Sequence, residues 1–402
     1  MRTRIGWIIL AAGLWLAPGY ARAQYQEVPP TLFTGFLSHP RYEEGGAFIA
    51  MDAVVWHLDR RIGSQAVAFR GFVDTDGSVT HLTPPVKVGS FAEALNTNQL
   101  NGPGTWTPGF DLSGGWRFES GIVVSASWVH LSDVRFNVSA GIIPPGFNVG
   151  ALLENTFLFS PVTNFPAAYA GPRDIPTSSP PNPATDPTAT ALYGIWNGAE
   201  NMSIELLQRF DMVTVMGRFP VWQSDDCRIY TLFGPRGITM YERFKWRTVD
   251  LDFAGNGTAV NNADYFNIVS QRLYGLVAGV GQEWYLGEVP HLGAVSWSLD
   301  AECSIYGDWI KGRVRYELED HSTSASRARN FFHIAPGLEA KASLLWYPWE
   351  AIQVRVGYNI FALFNTLASE RPIDFNMGTV NPAFDSVNRL FHGLDIGVAF
   401  IF

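Results

Sequence analysis

The amino-acid sequence predicts an all-β fold, an antiparallel transmembrane β-barrel of about ten strands, and three observations lead there. Apolar side chains recur at every second position over stretch after stretch, the period of a strand with one greasy and one polar face. The links between these stretches alternate long and short, the asymmetry of a barrel with short periplasmic turns and long external loops. Charged residues make up only 16% of the chain and aromatics reach 14%, against roughly 25% charged in ordinary soluble domains. Yet after the first segment no apolar run is long enough for a spanning helix.

Residues 1–23 have the pattern of a cleaved secretory leader: Arg2 and Arg4, an apolar run over 5–16, and Ala21-Arg22-Ala23 as a small-x-small site. Its loss removes three arginines and takes the formal charge from -9 to -12. A chain that acidic lacks the basic face that nucleic acid demands. Cys227 and Cys303 fall far apart on different predicted strands, so both are expected to be free thiols.

Residues 24–45 form a polar periplasmic lead-in, and the barrel is expected over 46–402, its first strand at 47–58. A Gly-, Asn- and Pro-rich loop, 60–105, precedes the first clear hairpin. There Phe110, Leu112, Trp116 and Phe118 alternate with Asp111, Ser113 and Arg117, and a turn at 119–121 leads into 122–131. The connection 132–198 is dense in proline, which cannot donate to a sheet ladder. Residues 201–216 resume the period, with Met202, Ile204, Leu206, Phe210 and Met212 expected outward and Glu205, Arg209 and Asp211 inward. After 220–226, Arg228, Arg236 and Glu242 share one parity on 227–244, where Gly234-Pro235 points to a bulge.

Past the loop 248–264, Tyr274, Leu276, Ala278, Val280 and Trp284 face away from glycines and Glu283. A short link, 287–292, leads to Trp297, Leu299, Ala301 and Cys303, set against Asp300 and Glu302. Loop 307–330 follows; its segment 313–319 also alternates and could add a hairpin, making twelve strands. Then Leu338 to Leu344 alternate with Glu339 and Lys341, and the turn 347–350 leads to a strand with Arg355 on its polar face. Loop 363–389 and a closing strand complete the chain.

The candidate lumen lining is therefore Arg209, Asp211, Arg228, Arg236, Glu242 and Glu283, with Asp300, Glu302, Glu339, Lys341, Arg355 and Asp395. Both signs occur in similar numbers, which predicts paired charges rather than a single-sign field. At about eight strands side chains just fill a barrel, and open channels belong to wider ones. The pairs thus read as filling or as the lining of a pore for small solutes. Aromatics beside the short turns (Trp116, Phe118, Phe219, Trp222, Trp284, Tyr285, Trp346, Tyr347, Trp349) predict a periplasmic girdle.

No cofactor or metal motif is complete. Asp74-Thr75-Asp76-Gly77 begins like a calcium loop but lacks the remaining ligands, and Asn256-Gly257-Thr258 matches a glycosylation acceptor only as a tripeptide. His130, Asp133, His321 and His333 fall near external strand ends, where a hydrolase could place them, without a positioned nucleophile. An outer-membrane hydrolase is the least favoured reading.

The last stretch, 390–402, sets Leu394, Ile396, Val398, Phe400 and Phe402 on one face, with Gly393, Asp395, Gly397 and Ala399 between them. It resembles the terminal strands of bacterial outer-membrane barrels, and the resemblance implies a signal read by the barrel assembly machinery and a lipid-facing outer wall. Together with residues 230–246 (YTLFGPRGITMYERFKW), it resembles the beta-barrel porin families of planctomycetes, including family seven, and more distantly the Legionella-type pore-forming barrels. That resemblance implies an integral outer-membrane porin passing small solutes. A non-conducting barrel acting through its long loops is the alternative.

Overall fold

The computed structural model describes residues 46–59, 62–74, 86–100, 106–141, 157–164, 194–224, 226–250, 259–289, 293–349 and 351–402. The expected leader, the lead-in 24–45, residues 75–77 of the acidic turn, the Asn256-Gly257-Thr258 tripeptide and most of the proline-rich connection lie outside them.

In chain order the strands are β1 (Gly46–Asp59), β2 (Ala66–Arg70), β3 (Phe72–Asp74), β4 (Val86–Val88), β5 (Glu93–Asn96), β6 (Trp106–Arg117), β7 (Val123–Gly141), β8 (Leu158–Phe159), β9 (Asn201–Gln223), β10 (Cys227–Val249), β11 (Asn262–Val289), β12 (Gly293–Leu318), β13 (Ser324–Trp349), β14 (Ile352–Arg371) and β15 (Ala383–Ile401). Ten of them close an antiparallel barrel in the order β1-β15-β14-β13-β12-β11-β10-β9-β7-β6. The ring shuts where the last strand meets the first, from Phe48 opposite Ile401 to Asp59 opposite Leu390. A backbone bond from Phe402 N to Ala47 O at 2.9 Å finishes the seam. Closure leaves no free edge, which answers the aggregation risk of ending on an apolar strand.

The expected outer face of the closing strand is the observed one. Leu394, Ile396, Phe400 and Phe402 are exposed, and Asp395 is buried on the opposite side. The same sense holds on β6, β11, β12, β13 and β14 near the short turns. The exposed aromatics Trp116, Phe118, Phe219, Trp222 and Trp349 ring that end, and Trp284 stacks on Trp297 at 4.6 Å. Tyr347 departs from the expected girdle: it turns inward, where its hydroxyl accepts a hydrogen bond from Gln353 Nε2 at 2.7 Å. A second belt rings the other rim, including the Tyr274–Trp309–Phe332 cluster with ring separations of 5.8 and 5.2 Å.

The strands run well past that second belt. At about 3.3 Å per residue, the 26 residues of β12 give more than twice the 9–11 residues a tilted transmembrane strand needs. The expected loop 307–330 is thereby corrected: β12 continues to Leu318 and β13 starts at Ser324. The alternating segment 313–319 mostly prolongs one strand and adds none, so ten strands stand. β7 likewise reaches Gly141, and β14 and β15 take up most of 363–389. No bulge forms at Gly234-Pro235; β10 pairs with β11 in unbroken register, and the irregularity against β9 lies at Ile229–Tyr230.

The extension above the belt holds a large apolar core. β2 and β5 from the connection after β1 form a small sheet with β8 from the connection after β7, and a one-turn helix, α1 (Gly194–Asn197), adds Trp196. The β14–β15 hairpin leans into the barrel. β13 loses its β14 partner above Gly337–Leu363, and Asn365, in the left-handed region at φ 58°, turns the strand at that level. Asparagine tolerates this conformation better than most side chains, and its Nδ2 donates to Ile334 O at 2.9 Å. Beyond the turn Gln271 on β11 bonds both backbone groups of Leu367 at 2.9 Å, so the hairpin is fastened to a strand three places round the ring.

Candidate functional site

Three layers fill the lumen. The first, at the turn end, is polar because the inward positions of β6, β9, β10, β12, β13 and β14 carry charge there. It surrounds a cavity of about 230 Å³. Arg236 on β10 stands near its middle, 2.7 Å from Glu302, 2.5 Å from Glu339, and with Nε 2.9 Å from Thr214 Oγ1. Asn359 Nδ2 donates to the other Glu339 oxygen at 2.7 Å. Lys341 meets Asp395 at 2.9 Å, and that carboxylate also accepts from Trp56 Nε1 at 2.8 Å. Arg228 and Glu283 pair at 2.7 Å, both almost fully buried, and Arg355 pairs with Asp52. Tyr230 donates to Asp300 at 2.5 Å while the Arg218 guanidinium lies 4.2 Å over its ring. Buried charges of both signs are tolerated when each finds a partner and its remaining hydrogen bonds.

Glycines on the inner face make room for these large groups. A Cβ on Gly393 would lie 2.5 Å from Trp56 Cδ1. Small and large residues thus alternate across the lumen, as a narrow barrel requires.

The second layer is apolar. Val54, Trp56, Val129, Leu131, Phe210, Met212, Ile238, Met240, Leu273, Tyr306, Ala335, Phe361, Leu363 and Phe391 come from nine of the ten barrel strands and form one buried cluster. The Phe210 and Phe391 rings touch at 4.6 Å, and Phe361 stacks on Phe391 at 5.9 Å. Above it Arg389 on β15 reaches Glu242 on β10, Nη1 to Oε1 2.7 Å, and the pair is buried. Those two strands are five places apart in a ring of ten, so the pair spans the full width of the barrel. The third layer is a larger apolar core that joins wall residues such as Trp246, Tyr265 and Tyr316 to Trp196, Leu95, Ile373 and Met377 from the connections.

Of the twelve sequence-predicted lining residues, ten face inward: Arg228, Arg236, Glu242, Glu283, Asp300, Glu302, Glu339, Lys341, Arg355 and Asp395. Arg209 and Asp211 are corrected to the outer wall, together with Glu205. The apolar residues expected outside on β9 are the buried ones, Met202 and Ile204 at 0% and Phe210 and Met212 at 4% exposure. The reason is height. This part of β9 lies above the belt, where the inside is a packed core and the outside is water. Outside, Arg209 pairs with Asp133 at 2.7 Å and Asp211 with His130 Nδ1 at 2.7 Å.

His321 sits in the β12–β13 turn at φ 59°, and His333 faces inward opposite Asp308 in the β12–β13 ladder. Asp52, Arg218 and Arg389 were missed by the sequence reading. Asp52 hides in the poorly alternating first strand, and Arg389 lay in an expected loop. Arg218 falls on the even parity of β9, the face the sequence reading took as outward.

No protein-family model matches the chain, and no curated protein does. Among solved structures it is similar to the outer membrane protease OmpT from Escherichia coli, with 8% identity, 89% of this chain and 97% of that one covered, and a TM-score of 0.37. It is also similar to a major outer membrane protein from Thermus thermophilus, with 10% identity, 89% and 99% coverage and a TM-score of 0.28. A Pseudomonas aeruginosa FadL homologue aligns with 8% identity, 92% and 93% coverage and a TM-score of 0.21. Likeness at this level carries no inference about activity.

Proposed function

We propose that the chain is an integral protein of the bacterial outer membrane whose barrel is closed to passive diffusion and whose crown above the membrane is its working part. The observation that carries this reading is the apolar layer around Trp56, Phe210, Phe361 and Phe391, drawn from nine strands. A hydrated ion crossing it would lose its water shell with nothing polar in exchange, at a cost of several kcal/mol or more. The Arg389–Glu242 pair across the lumen closes the path a second time. Export through the leader 1–23, insertion through the closing strand ending at Phe402, a periplasmic lead-in at 24–45 and a barrel over 46–402 belong to the same proposal. No hydrolytic role is assigned, since the His130–Asp211 pair at the rim points away from the lumen.

A second reading, passage of small polar solutes through a seal that opens, is favoured by the charged cavity below it. Single-channel recording in planar bilayers separates the two. The closed reading expects silence from inserted wild-type protein and conductance steps from Trp56→Ala/Phe391→Ala. Reproducible steps from the wild type, with ion selectivity altered in Glu302→Gln, would overturn it in favour of the porin.

A further inference from the structure

We propose that the outer wall of β11 and β12 just above the second aromatic belt binds the phosphate of an outer-leaflet lipid through Arg272, Lys311 and Arg313; this rests on the outer-membrane reading above. All three side chains are exposed. They alternate with the inward Gln271, Leu273, Ile310 and Val314, all buried, so they point away from the barrel.

Their cross-strand neighbours carry no charge. Arg272 stands between Thr239 and Trp309, Lys311 between Ser270 and Asn330, and Arg313 between Ile268 and Ala328. Among the described residues none of the three side chains has an ion pair or hydrogen bond. Four other outward cations of the crown do: Arg209 with Asp133, Arg243 with Glu205, Lys245 with Asp264 and Arg247 with Glu319. The cluster also stands against a chain of net charge -9. Neighbours on diagonal cross-strand positions, or two apart on one strand, lie roughly 7 Å apart. Like charges held there repel one another unless an anion sits among them.

The level of the cluster identifies the anion. Arg272 follows the outward Tyr274 on β11, and Lys311 follows the outward Trp309 on β12, two residues farther from the apolar band in each case. Aromatic belts mark the headgroup level of a membrane, and long basic side chains there lay their stems on the apolar surface and lift their charge to the headgroups. Three unpaired cations, Arg272 and Lys311 one step above the belt and Arg313 two, match the phosphate of a lipid whose chains lie along Tyr274, Leu276 and Ile305.

The mature protein reconstituted into phosphatidylcholine vesicles provides the test. Thermal unfolding is followed with diphosphorylated lipid A, with its fully dephosphorylated form, or with inorganic phosphate. The expected result is a higher Tm with the diphosphorylated lipid alone. That rise should vanish in Arg272→Gln/Lys311→Gln/Arg313→Gln, whose affinity falls on the order of a hundredfold at about 1 kcal/mol per cation. Arg243→Gln/Lys245→Gln/Arg247→Gln should retain the rise. An inserted Arg272/Lys311/Arg313 variant that keeps the full rise overturns this site and leaves the membrane reading intact. An equal rise with the dephosphorylated lipid, or with inorganic phosphate, overturns the lipid phosphate as ligand. A wild-type protein that stays soluble beside the vesicles overturns the membrane reading and this site together.

Discussion

Below the level of Met212 and Leu273 the barrel wall carries its apolar side chains outward and its charges inward; above that level the same strands turn their apolar side chains inward and most of their charges outward, with buried charges such as the Arg389–Glu242 pair remaining inside. β9 makes the change within a few residues. Val213 and Val215 are exposed on the outside, and the next outward positions are Asp211 and Arg209. β12 does the same between Trp309 and Lys311. The alternation itself never breaks, because the pleat fixes it. What changes is the medium on each side: lipid outside and a polar cavity inside below, water outside and a packed core inside above.

The comparison is sharpest where a single substitution tests one region's rule. In the crown core Trp246 is fully buried, 4.7 Å from Trp196. Trp246→Ala is expected to cost about 3–5 kcal/mol, read as a lower midpoint of urea unfolding in vesicles. An unchanged midpoint would mean the crown contributes nothing to the stability of the fold. On the lower outer wall, Ile305→Arg sets a charge against lipid and should cost about 2–4 kcal/mol. A neutral result there would break the assignment of that face to lipid. The smallest effect belongs to Arg209→Leu. As an exposed rim pair with Asp133, Arg209 is worth less than about 1 kcal/mol, whereas an inward, buried Arg209 would cost about 3–5 kcal/mol on losing its side chain. A large loss would restore the inward orientation expected from the sequence.

Much of the barrel was legible beforehand, and the errors share one cause. The short turns, the ten strands, the outward face of Leu394 to Phe402 and the inward parity of Arg236, Glu302, Glu339 and Lys341 all followed from period and link length. Arg209 and Asp211 were misassigned because the apolar face was taken as the outer one at every height. The segment 313–319 misled for the same reason. Its apolar Val314 and Tyr316 share the even parity of the inward Asp300 and Glu302, which under an apolar-outward rule reads as a new hairpin, whereas one strand simply passes from lipid to water. The lean of the β14–β15 hairpin had no signal in the sequence. It depends on Gln271 and Asn267 reaching Leu367, Ser369 and Pro372 from a strand about a hundred residues away.

By itself the sequence determined which residues share a face, because the strand period is a local property of the backbone and each residue reports its own parity. Which face looks inward at a given height, which charges meet across the lumen and whether the lumen stays open were decided only by the tertiary structure. Those outcomes depend on the medium beside each position and on partners such as Glu242 and Arg389, which are remote in the chain and brought together only when ten strands close on themselves.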